Sequence, residues 1–123
     1  MVRHMTAAVA ALLGAFLMDT ALAADCPCTQ PTLEDLIESE RDIAVFTARV
    51  VSVLTPEKGK PALVRLQVGE IIRGEAPRAV EMSGVTREDQ ACGVDFRPGE
   101  MRTLAAYRRD GRWHTDLCHV PRP

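Results

Sequence analysis

Asp42-Ile43-Ala44-Val45-Phe46-Thr47-Ala48-Arg49-Val50-Val51-Ser52-Val53-Leu54 is the stretch that decides the fold class. Ile43, Val45, Thr47, Val50, Val51 and Val53 are β-branched. Such side chains lose χ1 freedom in a helix and pack well on a pleated surface. The run therefore predicts one long strand over 42–54. Its alternation is impure: Val45, Thr47 and Arg49 interleave with Phe46, Ala48 and Val50, so neither face is cleanly apolar and a bulge is expected.

Four more strands follow. After a loop over 56–61 holding Gly59 and two lysines, residues 62–72 alternate in period two. Leu63, Arg65, Gln67 and Gly69 oppose Val64, Leu66, Val68 and Glu70, and Gly74 ends the pattern. Residues 78–82 form a short third strand, 83–90 a polar loop, 101–107 a fourth strand and 111–116 a fifth. Arg109-Asp110-Gly111 supplies the hairpin turn between the last two, with Gly111 suited to positive φ. Upstream, Thr32-Leu33-Glu34-Asp35-Leu36-Ile37 predicts a short helix running to about Glu40. Thr32 is its N-cap, Asp35 completes a capping-box variant, and Leu33, Leu36 and Ile37 share one face.

Five short antiparallel strands in about 75 residues are too few for a two-sheet sandwich and suit a small closed barrel. The expectation is a mainly β, five-stranded OB-like closed barrel with a short N-terminal helix packed at one end. No internal repeat, low-complexity tract or linker marks a second domain, so residues 25–123 are read as one unit.

The first 24 residues read differently. Arg3 and His4 precede an uncharged apolar run of 12 residues, Ala7 to Met18, and Ala21-Leu22-Ala23-Ala24 follows. A cationic start, a short apolar core and an A-x-A site make a secretory signal peptide over 1–24. The run is shorter than the ~20 residues a membrane span needs. Asp25, directly before Cys26, stands where a lipoprotein needs a small residue. A soluble secreted or periplasmic protein is therefore expected, with no membrane span.

All four cysteines, Cys26, Cys28, Cys92 and Cys118, follow that leader. An even count in a small exported domain implies two disulfides. Three pairings are open. Cys26 with Cys28 closes a strained small loop through Pro27, while the other two tie the N-terminus to the C-terminal half.

Composition restricts the function classes. With 15 basic and 17 acidic residues the net charge is −2, which favours neither nucleic acid nor an anionic membrane as partner. Arg102, Arg108, Arg109 and Arg112 form a candidate basic face on the last hairpin. Yet aromatic residues are only 4% of the chain, too few for the base-stacking platform of a nucleic-acid-binding barrel. Hydrolytic signatures of the G-x-S-x-G and H-E-x-x-H types are missing, and after the leader only His114 and His119 remain. C-x-C is not the C-x-x-C of a thiol oxidoreductase. Glu34/Asp35 and Glu88/Asp89 read as solvated pairs. Cys28, Cys118 and His119 could be read as soft-metal ligands, but disulfides are the stronger reading in an oxidising compartment. Neither a catalytic residue nor a metal or other cofactor is expected.

The cysteine frame resembles the netrin-like domain, the fold of the tissue inhibitors of metalloproteinases. The resemblance rests on Cys26-Pro27-Cys28, on Asp42-Ile43-Ala44-Val45-Phe46, and on Val68-Gly69-Glu70-Ile71-Ile72-Arg73-Gly74. Cys92-Gly93, Phe96, Gly99, Gly111, Thr115 and Cys118 complete it. It implies an OB-like barrel and the pairs Cys26–Cys92 and Cys28–Cys118. It also makes Cys26, Pro27, Cys28 and Thr29 a candidate inhibitory or binding edge. In that family the first cysteine chelates a protease's zinc through its own α-amine. Asp25 before Cys26 removes that amine here, and Pro27 has no long side chain to fill a pocket. The expectation is a monomeric, non-catalytic binding module with a protein partner. Inhibition of a protease, or metal binding at the envelope, are the alternatives.

Overall fold

A computed structural model describes residues 26–123. The expected leader lies outside the described residues, as does Asp25.

Helix α1 (Leu33–Glu38) is six residues long. Thr32 Oγ1 accepts from the Asp35 backbone N–H at 3.1 Å, and Asp35 Oδ2 accepts from the Thr32 N–H at 2.9 Å, so the capping box is complete. The Thr32 backbone N–H first, and then the Thr32 hydroxyl, hold the Asp35 carboxyl below its ordinary pKa. Ser39 is no longer helical, so α1 stops before Glu40.

Strands β1 (Ala44–Leu54), β2 (Leu63–Arg73), β3 (Ala79–Ser83), β4 (Met101–Arg109) and β5 (Arg112–His114) close into a barrel in the order β1-β2-β3-β5-β4. This is the OB-like five-stranded barrel that the strand count implies. One neighbour pair departs from the all-antiparallel expectation: β3 and β5 run parallel, with Met82 opposite Trp113. A closed ring with an odd number of strands cannot alternate direction all the way round, so at least one parallel pair is forced. Asp110 (φ 53°) and Gly111 (φ 76°) make the two-residue turn between β4 and β5, both in the left-handed region that such hairpins use.

β1 explains its own impure pattern. Its register against β2 shifts between Val45 and Phe46, Phe46 and Ala48, and Val50 and Ser52, while its pairing with β4 is regular from Ala44–Ala106 to Arg49–Met101. Phe46, Ala48, Val50, Val64, Leu66 and Leu104 lie in the barrel core. A second cluster joins Leu36 of α1 to Ile43, Val45 and Ala105. The start of β1 is thus buried on both faces, and Val45 and Phe46 are both 0% exposed. Full burial of each such side chain contributes about 1.5–3 kcal/mol. Through Leu36 the helix packs on the outer face of β1 and β4. Arg73 clamps it there, donating from Nη1 to Leu36 O at 2.9 Å and from Nη2 to Arg41 O at 2.8 Å.

Candidate functional site

The chain after β5 is bonded to the barrel before it reaches Cys118. Thr115 is fully buried; its Oγ1 donates to Ala105 O at 2.7 Å, and its carbonyl accepts from Gln90 Nε2 at 3.2 Å. Leu117 N–H then donates to Cys92 O at 2.7 Å, which sets Cys118 beside Cys92. Only glycine fits after Cys92: a Cβ on Gly93 would collide with the Thr86 backbone carbonyl. That close approach lets Val94 bridge to Thr86 and donate to Val85 O at 2.8 Å.

The N-terminal segment lies across this platform as a strap. Two disulfides hold it, Cys26–Cys92 and Cys28–Cys118, the same pairing that the netrin-like resemblance implies. The four Sγ atoms all lie within 4.8 Å of one another. Beyond the sulfurs, Gln30 Nε2 donates to Val120 O at 3.4 Å and Arg122 N–H to Pro31 O at 2.9 Å. Along the strap Cys26, Cys28 and Gln30 are half-buried, Pro27 and Thr29 are exposed, and the chain bends at Cys28. The candidate edge is therefore a short irregular segment tied down through its two cysteines, with the Pro27 and Thr29 side chains exposed.

Beside Cys118 opens a cleft of about 1080 Å³, whose walls include Arg41, Glu75, Tyr107, Trp113, Asp116 and His119. A 3₁₀ turn (Leu117–His119) places its polar groups. Asp116 caps that turn: Oδ1 accepts from the Cys118 N–H at 2.9 Å and from His119 Nδ1 at 2.7 Å, and Oδ2 accepts from the Tyr107 hydroxyl at 3.3 Å. Burial pushes the Asp116 carboxyl up, but the bonds from His119, Cys118 and Tyr107 outweigh it and hold the pKa below its ordinary value. The Tyr107 hydroxyl is pushed the other way, first by burial and then by the Asp116 charge. The Tyr107 ring packs between two imidazoles, with centroids 5.3 Å from His114 and 4.8 Å from His119. Burial, with Arg109 adding, depresses the His114 pKa.

The arginines expected to share one face are divided. Arg102 stands at the start of β4, half-buried. It donates to Asp95 O at 3.1 Å and Glu100 Oε1 at 3.2 Å, and its guanidinium lies 5.8 Å from the Phe96 ring centroid. Arg108 is at the far end of the same strand, about 20 Å away at strand spacing. It donates to Gly111 O at 3.2 Å and stacks over Trp113 at 5.5 Å. Arg109 and Arg112 face each other across the hairpin end and are exposed. Only Arg108, Arg109 and Arg112 stand together.

The metal alternative loses its ligands. All four cysteines are in disulfides, so neither Cys28 nor Cys118 offers the thiolate that reading needs. Asp89, read as one of a solvated pair, is exposed yet structural: Oδ2 accepts from Ala62 N–H at 3.1 Å and from Thr86 Oγ1 at 2.7 Å. Sequence reasoning did not find Tyr107 and Asp116. The signal for Asp116 was the spacing Asp116-x-Cys118-His119, an N-cap followed by a one-turn helix.

Compared with family models, with curated proteins and with solved structures, the chain matches none. Among the described residues no helix is long and apolar enough to cross a membrane.

Proposed function

We propose that the chain is an exported, non-catalytic binding module of the netrin-like type, and that the edge Cys26–Thr29 with the adjoining cleft engages a protein partner. The observation that carries this reading is the state of the strap. Pro27 and Thr29 are exposed while the cysteines beside them are bonded to Cys92 and Cys118. A segment already held by two disulfides loses little entropy on binding, so its contacts convert more fully into affinity. The cleft beside it offers what a protein side chain needs: a Trp113–Arg108 shelf, the Tyr107 ring and polar groups of both signs. Export supports the reading through the leader over 1–24 and through disulfides, which persist in oxidising compartments.

The test is affinity capture from the native envelope or medium, run in parallel with wild type and with a Thr29→Arg variant. The expected result is one partner retained by wild type and lost by the variant. Equal retention by both contradicts the edge. A second reading, inhibition of a protease by the same edge, is favoured by the exposure of Pro27 and Thr29 on a disulfide-held segment. A protease panel separates the two: nanomolar inhibition of one enzyme by the wild-type chain makes the partner a protease.

A further inference from the structure

We infer that the four sulfurs form a thiol-triggered exchange centre. A small thiolate arriving at Cys118 converts Cys26–Cys92 and Cys28–Cys118 into Cys26–Cys28 and Cys92–Cys118, and so unlatches the N-terminal strap without net reduction. The proposal gives the edge described above a control. Its chemistry stands whether or not that edge binds a partner.

The decisive observation is that the two disulfides touch. Cys26 Sγ lies 3.2 Å from Cys28 Sγ and 4.0 Å from Cys118 Sγ. With all four sulfurs oxidised none carries a proton, so these are nonbonded contacts rather than hydrogen bonds. Exchange proceeds by attack of a thiolate on a disulfide sulfur. A sulfur freed from one bridge is therefore already at attacking distance from the other. Access is available as well: all four cysteines are half-buried, and Cys118 lines the cleft.

The steps balance. An external thiolate attacks Cys118 Sγ; the mixed disulfide forms, the Cys28–Cys118 bond breaks, and Cys28 leaves with the electron pair. The Cys28 thiolate then attacks Cys26 Sγ, 3.2 Å away. The Cys26–Cys28 bond forms, Cys26–Cys92 breaks, and the charge moves to Cys92. Cys92 lies within the 4.8 Å cluster and attacks Cys118 Sγ, expelling the original thiolate unchanged. Two disulfides enter and two leave, with the thiol as catalyst.

The consequence is mechanical. The barrel side of the centre does not depend on sulfur, since Leu117 N–H bonds Cys92 O and Cys118 N–H bonds Asp116 Oδ1. The strap side does. Once Cys26 and Cys28 pair with each other, the bonds from Gln30 and Arg122 are the remaining described polar ties of the strap to the body. The thiol is returned unchanged, so it sets the rate of exchange, and the relative stability of the two pairings sets how much strap is unlatched.

The experiment uses the unaltered protein. It is incubated anaerobically with a millimolar tripeptide monothiol, quenched in acid, alkylated and mapped by peptide mass spectrometry. The expected singly reacted species carries the mixed disulfide on Cys118, an alkyl group on Cys92, and a Cys26–Cys28 pair. Singly reacted protein that keeps Cys26–Cys92 and is alkylated at Cys28 overturns the proposal. So does a Cys26–Cys118 product, because the strap then stays tied. Failure of the folded protein to react, where the urea-unfolded protein reacts fully, overturns it too.

Discussion

Asp116 holds His119 through a 2.7 Å bond from Nδ1 to Oδ1, and the same oxygen accepts the Cys118 backbone N–H. One carboxylate thus fixes both the turn that carries a disulfide and the imidazole that lines the cleft. Because its oxygens accept three bonds, replacing it leaves several donors short at once. Asp116→Ala is expected to cost about 1.5–3 kcal/mol, the range for hydrogen bonds to a charged group, measured by urea denaturation at neutral pH. The wild-type contribution is also acid-labile. The folded pKa is depressed, so the stabilisation is present above the ordinary value of 3.8 and is lost as pH falls toward the lower folded value. Below that window wild type and Asp116→Ala should converge; a gap that persists there contradicts the role of the charge.

His114 gives a second pH signature, at a higher window. It is 9% exposed, and burial and Arg109 disfavour its charged form, with Asp116 opposing and His119 adding to the effect. Its folded pKa lies below the ordinary 6.5, so the folded state prefers the neutral ring. Stability is complete above 6.5 and declines as pH falls through the folded value. The unfolding free energy from urea denaturation should drop between pH 7.5 and 5.5, by no more than about 1.4 kcal/mol per pH unit for one group. His114→Gln should flatten that slope, and an unchanged slope would assign it to another group.

Gly93→Ala is expected to destabilise by about 2–3 kcal/mol, since the obstruction is the Thr86 backbone rather than a movable side chain. Thermal unfolding measures it. Gly99, where an added Cβ meets nothing within 4 Å but φ is +87°, serves as the comparison. Gly99→Ala strains one backbone torsion only and should cost less.

The arginines divide by environment. Arg102→Ala removes bonds to Asp95 O and Glu100 together with the Phe96 contact, and should cost about 1–2 kcal/mol. Arg112→Ala, exposed at the hairpin end, should change stability by less than about 0.5 kcal/mol. Equal costs for the two would contradict the separation of these residues.

Much of the barrel was legible because period-two patterns and turn residues act locally. Val64 and Leu66 are buried while Arg65 and Gln67 are exposed, as alternation requires. β1 was harder to read because burial on both faces at Val45 and Phe46 erases alternation, and only α1 packing outside makes sense of it. The parallel β3–β5 contact is a property of ring closure, not of either strand. The pairs Cys26–Cys92 and Cys28–Cys118 are those the family resemblance implies. The cleft was not legible. Tyr107, from β4, and Asp116 with His119, from the 3₁₀ turn, meet only once Thr115 and Leu117 bind the chain to Ala105 and Cys92.

The central claim is that the strap edge meets a protein partner, and site-specific photo-crosslinking tests it most directly. A photoreactive residue is placed at Thr29 on the edge, and in a second variant at the exposed Arg65 on β2. Each protein is irradiated in its native compartment. The account predicts a discrete adduct of one partner from position 29 and none from position 65. Adducts of equal yield from both positions, or from position 65 alone, would contradict it.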